Sequence, residues 1–240
     1  MLRREADEGQ RWAEKKIEIS EKYVLPLMLA QGRLHLGWAL AEQGRLVQGI
    51  ELIRKGITAT RATGALMGLP FFLSVLACAY LDSGELRQAA ATLDEALSIA
   101  TEASALYFFP EVLRTKGKLL FLQDQDHPEA AQACFQQAVT MAREQGAKSF
   151  ELRAATSLVR LWRGQGKHTE ARDLLAPIYG WFTEGFDTCD LKDAKAAARG
   201  AGIVQQRLPQ MARLYGPAVR CKLNLIDQEI TGLAHLYSAR

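Results

Sequence analysis

Four large residues recur along the chain at nearly one interval: Leu40, Tyr80, Leu120 and Trp162 stand 40, 40 and 42 residues apart. Behind each comes a turn and then a small residue, Gly49, Ala89, Ala131 and Ala171, spaced 40, 42 and 40. A period of this length marks a stacked architecture, in which each unit buries its apolar face only against its neighbours. Solenoids of that kind work mainly through the surface they present.

Within one period the pattern is helical. Leu73, Leu76, Ala77 and Tyr80 lie at i, i+3, i+4 and i+7 and form one stripe, with Pro70 suited to a helix start and Gly84 to a helix end. From Glu85 a second helix carries Ala89, Leu93, Ala96, Leu97 and Ala100 on one face, small where two backbones must approach. The first unit repeats this with Gly37, Leu40, Gly44, Gly49, Ile53 and Gly56, and the fourth with Leu158, Trp162, Gly166, Ala171, Leu175 and Ile178. The third has Leu113, Gly117 and Leu120, a longer turn through Asp124 to Pro128, then Ala131, Phe135 and Ala138. At 48% hydrophobic and 24% charged, the 240 residues are too apolar for disorder. Good helix formers dominate and no β-branched alternation is sustained, so an all-α superhelix of about four hairpins with extra terminal helices is expected.

Chemistry is sparsely encoded. His35, His127, His168 and His235 fall in different units, and Asp124/Asp126 and Asp187/Asp190 sit where Asp caps a following helix. Gly166-Lys167 is no phosphate-binding loop, because Leu161 stands where its first glycine belongs and His168 where Ser or Thr is needed. Cys78, Cys134, Cys189 and Cys221 are scattered, without a CxxC pair or zinc-ligand spacing. No catalysis, cofactor or metal is expected. The charged start Arg3-Arg4-Glu5 and the lack of a long apolar run predict a cytoplasmic chain with no membrane span.

The strings from Ala77 to Tyr80, then Gly84, Ala89, Leu93 and Ala96, resemble tetratricopeptide (TPR) repeats with lengthened helices. Phe109 to Leu120, Ala130 to Ala138, Glu151 to Leu158 and Trp181 to Thr188 are similar to the C-terminal helical arm of bacterial signalling ATPases. Those ATPases are often fused to class III adenylate or guanylate cyclase domains or to DNA-binding domains. The resemblance covers roughly residues 20 to 198 and implies a sensory or scaffold arm. In such proteins the catalytic domains precede the arm, and none of their motifs occurs here, so a fragment or split product of a longer protein is expected.

The predicted organisation is an unpaired helix in 1–20, repeats in 21–198 (21–65, 66–105, 106–146, 147–182 and a closing helix 188–198), and a divergent tail in 199–240. Leu191 to Lys222 holds Lys192, Lys195, Arg199, Arg207, Arg213, Arg220 and Lys222 against Asp193 alone, so the formal +3 charge originates there. That segment is a candidate patch for nucleic acid, although without interleaved aromatics a solvated helix face is the stronger reading. From Pro217, Val219, Leu223, Ile226, Ile230, Leu233 and Tyr237 form an amphipathic seam that suits a cap or a partner helix. In the TPR arrangement the first helix of each pair lines the concave face, which makes Gln31, His35, Arg114, Lys118, Arg153 and Arg160 candidate groove residues. Four of the six are basic, so an acidic protein, peptide or small anionic effector is the expected partner. Self-association through the open N-terminal edge or the C-terminal helix is the further expectation.

Overall fold

The computed structural model describes residues 5–102 and 106–200, all within one compact unit. Ten α-helices follow one another: α1 (Ala6–Lys22), α2 (Pro26–Glu42), α3 (Leu46–Ala62), α4 (Leu69–Asp82), α5 (Leu86–Glu102), α6 (Phe109–Gln123), α7 (Glu129–Glu144), α8 (Lys148–Gly164), α9 (His168–Gly180) and α10 (Cys189–Gly200). Among the described residues there is no strand. Helices α2/α3, α4/α5, α6/α7 and α8/α9 form four antiparallel pairs, with α1 packed on α2 and α10 packed on α8 and α9. The even-numbered helices also touch one another along the stack, α2 to α4, α4 to α6 and α6 to α8, and form the inner layer. The seam Val219 to Tyr237 and the residues Arg207, Arg213, Arg220 and Lys222 lie outside the described residues.

The recurring large residues close the inner helices. After each comes a turn in which an N–H five residues on donates to the carbonyl of the recurring residue: Arg45 to Leu40, Glu85 to Tyr80 and Lys167 to Trp162, at 2.8–2.9 Å. The residue in between, Gly44, Gly84 or Gly166, holds φ of +83°, +81° or +73°. This is the Schellman ending, which satisfies orphan carbonyls at the cost of a left-handed residue that glycine adopts freely. The third turn lacks glycine and uses another device. Asp124 is extended, and its Oδ1 accepts from the N–H groups of Asp126 and His127 at 3.2 and 3.1 Å. Pro128 stands at the N-cap of α7.

Three residues before each of these sits the contact that sets the pair. A Cβ on Gly37 would lie 2.7 Å from the Gly49 carbonyl oxygen and 2.8 Å from the Ile53 nitrogen, and one on Gly49 would lie 2.7 Å from the Gly37 carbonyl. At the equivalent place in the third pair, Gly117 leaves room for the ring of Phe135, 2.5 Å from where its Cβ would be. Ala77 and Val159 fill the same positions in the other pairs and are fully buried. Around these contacts the core runs from Leu34 and Ile53 through Leu73, Leu76 and Leu93 to Val112 and Leu119.

The two edges of the stack differ in chemistry. Turns inside a pair are short and polar, and none holds an exposed large apolar residue. Connections between pairs run along the opposite edge and carry nine of the fourteen such residues found among the described ones, so that edge is apolar. These are Tyr23, Val24 and Leu25 after α1, Leu66 and Met67 after α3, Leu106 and Tyr107 after α5, and Trp181 and Phe186 after α9.

Replacing Gly37 with Ala forces a methyl against backbone that no rotamer can clear. The cost expected for such overpacking is about 1–3 kcal/mol, read as a lower midpoint in chemical denaturation. The same change at Gly68, which has φ of −88° and only the Phe72 ring near its Cβ at 3.5 Å, leaves the stability within about 0.5 kcal/mol of the wild type.

Candidate binding groove

The inner helices and α10 enclose a groove of about 580 Å³. Along it, the residue two before each recurring large residue comes forward in turn: Trp38 on α2, Cys78 on α4, Lys118 on α6 and Arg160 on α8. This stripe is therefore apolar in its N-terminal half and cationic in its C-terminal half, and carboxylates stand beside both, Glu42 and Asp82 in the first and Asp190 and Asp193 in the second. Ser74, Val75 and Ala79 line the first half, and Asp190 and Asp193 on α10 close the second.

Beneath the charged half lies a buried ionic network. Glu111 on α6, 4% exposed, receives Arg114 through both carboxylate oxygens, Nε to Oε2 at 3.0 Å and Nη2 to Oε1 at 2.7 Å. Arg153 on α8 reaches the same Oε1 at 2.9 Å and faces Asp190 at 3.7 Å. Burial by itself would lower the Arg114 pKa, but the Glu111 carboxylate outweighs it and holds the guanidinium above its ordinary value. Glu111 and Arg153 stand nine residues before Leu120 and Trp162, so the bridge joins equivalent positions of successive pairs. Nearer solvent, Lys118 pairs with Asp82 of α4 at 2.6 Å and Arg160 with Asp193 at 3.7 Å.

These contacts sort the candidate residues. Arg114 and Arg153, with side chains only 16% and 15% exposed, belong to the framework between pairs, whereas Lys118 and Arg160 are 36% and 52% exposed. All four line the groove, and five carboxylates line it alongside them: Glu42, Asp82, Glu111, Asp190 and Asp193. Gln31 and His35 lie on the inner helix α2 but do not line the groove. Gln31 accepts a hydrogen bond from Lys16 of α1 at 2.9 Å, and His35 rests against Phe72 of α4 with ring centroids 6.0 Å apart. Of the basic segment, Lys192 and Arg199 are exposed on α10 and Lys195 is half-buried. The pattern of a single helix gives no sign that Glu111, Asp190 and Asp193 line the groove. Aligning each unit on its recurring large residue would have placed Glu111 and Arg153 in register. Among the described residues no group of three or more His, Cys, Asp or Glu could hold a metal ion, and no helix is long and apolar enough to cross a membrane.

Glu111→Gln leaves two buried guanidinium groups short of a counter-charge. A loss of about 3 kcal/mol is expected, against less than about 1 kcal/mol for Lys118→Met at the exposed pair, both measured by urea unfolding. His35 offers a pH test. Burial, aided by the nearby positive charge of Lys16, pushes its pKa down to about 4. Between that value and the ordinary 6.5 the unfolded chain binds more protons, so the stabilisation is complete above pH 6.5 and is lost as the pH falls towards 4. His35→Gln should remove about 1–3 kcal/mol of acid sensitivity across that window in equilibrium unfolding.

Comparison with known proteins agrees with this geometry. Residues 72–102, which span nearly all of α4 and α5, match the sequence model of the tetratricopeptide repeat. Over 141 residues the chain is 26% identical to an uncharacterized protein of Rhizobium meliloti (strain 1021), a stretch covering 59% of this chain and 14% of that protein. The chain thus spans about one-seventh of the length of the curated relative it matches. The crystal structure of BtubC (BKLC) from P. vanneervenii superposes with a TM-score of 0.58 at 17% identity, over 93% of this chain and 92% of that one. With one helix pair matching the repeat pattern and the arrangement shared along almost its whole length, the chain has the fold of a TPR-like α-α superhelix.

Proposed function

We propose that the chain is a non-catalytic docking and regulatory arm whose groove takes an extended peptide, apolar at one end and acidic at the other. The observation that carries this reading is the succession Trp38, Cys78, Lys118 and Arg160, one from each inner helix, along a single groove. Concave surfaces built from successive repeats bind in this way. Solvent-exposed ion pairs contribute about 0–1 kcal/mol, so a carboxylate on the ligand can take Lys118 from Asp82 or Arg160 from Asp193 at little cost. The buried pairs of Glu111 stay in place and keep the inner helices in register. The similarity to ATPase arms, together with a relative about seven times longer than the matched stretch, supports a role in which the occupied groove signals to nucleotide-converting domains.

The test is an array of extended peptides that combines apolar with acidic positions, probed with the wild type and with Lys118→Glu/Arg160→Glu. Peptides bearing Asp or Glu should lose at least about tenfold in affinity, roughly 1.4 kcal/mol. Arg172→Glu, on the outer helix α9, should leave binding unchanged. Equal capture of acidic peptides by the wild type and the double variant overturns the reading.

A further inference from the structure

The edge that carries the connections between pairs has no role in the groove. We propose that it is the surface on which a second copy of this chain docks, about a two-fold axis perpendicular to the row of connections. Three independent features point there.

The first is area. The nine apolar residues on this edge are 42–82% exposed. Since a large aromatic side chain has about 150–250 Å² of surface, together they leave on the order of 1,000 Å² of apolar surface in water. A standard interface removes about 800 Å² from each partner, so the edge matches what a stable dimer needs.

The second is continuity. Ring contacts at 4.9–6.1 Å lead from Phe72 through Phe71, Phe108 and Tyr107 to Phe150, across the starts of three inner helices. Gln145 Nε2 donates to the Leu106 carbonyl at 2.8 Å, and the Lys148 ammonium lies 5.8 Å from the centre of the Trp181 ring. The connections after α5, α7 and α9 therefore form one surface. Because they recur with the helix pairs, a second copy turned by a two-fold axis presents the same spacing. That self-complementarity is what a closed, isologous contact requires.

The third is Val24. It occupies the turn position that glycine holds in the other Schellman endings, with its N–H directed at the Glu21 carbonyl and the Leu25 N–H bonded to the Ser20 carbonyl at 2.9 Å. Its φ is +53°, which is strained for a β-branched residue, yet its side chain is 82% exposed. Glycine would relieve the strain and, among the described residues, give up little burial. A valine held this way contributes only if something covers it, and it lies at one end of the apolar edge.

The experiment is light scattering on the full chain over about 1 to 100 µM, a range that resolves micromolar dimers. The wild type is expected to show twice the 26.6 kDa chain mass at the upper end. Val24→Gly separates the proposal from a purely internal role, because it should raise the unfolding midpoint of the dilute monomer while weakening the dimer. Adding Met67→Asp, at a side chain 79% exposed, should weaken the dimer at least tenfold with an unchanged helical circular dichroism spectrum. A wild type that stays monomeric throughout overturns the proposal, whether the edge is bare or is taken by another protein or by residues 202–240. A dimer that the double variant leaves equally tight overturns it as well.

Discussion

The separation between the two helices of a pair governs what the rest of this molecule can do. Where Gly37 meets Gly49 the backbones touch with no side chain between them, and where Gly117 meets Phe135 a ring takes the space that a methyl would need. A pair closed this tightly buries its facing residues completely, as Leu34 and Ile53 are buried. Its outer surfaces then stand at a defined width, and successive pairs can stack with their inner helices in a row. Packing at interior density leaves such contacts no continuous range of adjustment.

A second constraint acts between pairs, and it changes in nature along the stack. In the N-terminal half the neighbours meet through apolar side chains such as Leu73, Leu76 and Ile53. In the C-terminal half Glu111 and Arg153 bridge α6 to α8 at equivalent positions, and Arg153 continues towards Asp190 of α10. A buried ionic bridge of this sort adds little net stability compared with apolar packing, but it is sensitive to geometry and so favours one register. Glu151 does similar work at the start of α8. Burial alone would raise its pKa, yet hydrogen bonds from Lys148 and Arg143 hold the carboxyl below its usual range.

Much of the fold was legible because the features that specify it are local and periodic. The stripe Leu73, Leu76, Ala77 and Tyr80, the left-handed glycines at Gly44, Gly84 and Gly166, and the small residues from Gly49 to Ala171 each report a backbone requirement that only a few residue types meet. The groove was less legible, and for a physical reason. Arg114 and Arg153 look like free cations when only their own helix is considered, and their carboxylate partner Glu111 comes into reach through stacking. His35 and Gln31 likewise sit on an inner helix, where Phe72 and Lys16 contact them. Exposure on one helix is a property of a helix; availability for binding is a property of its neighbours. The apolar edge was missed for the converse reason, since Met67, Tyr107 and Trp181 carry no periodic signal and gather only when the connections line up.

The change in character along the stack has a mechanical consequence. Apolar contacts weaken on cooling, because their driving force near room temperature comes from the entropy of water, whereas the Glu111 network answers chiefly to charge and is shielded from salt by its burial. The C-terminal half thus adds a buried ionic bridge to apolar packing of its own around Phe135, Leu158 and Leu161. Cooling loosens the contacts around Trp38 and Cys78 more than the ion pairs beneath Lys118 and Arg160. A ligand stretched along the groove would meet, at its C-terminal end, a surface whose register the buried Glu111 bridge helps to hold as apolar packing weakens.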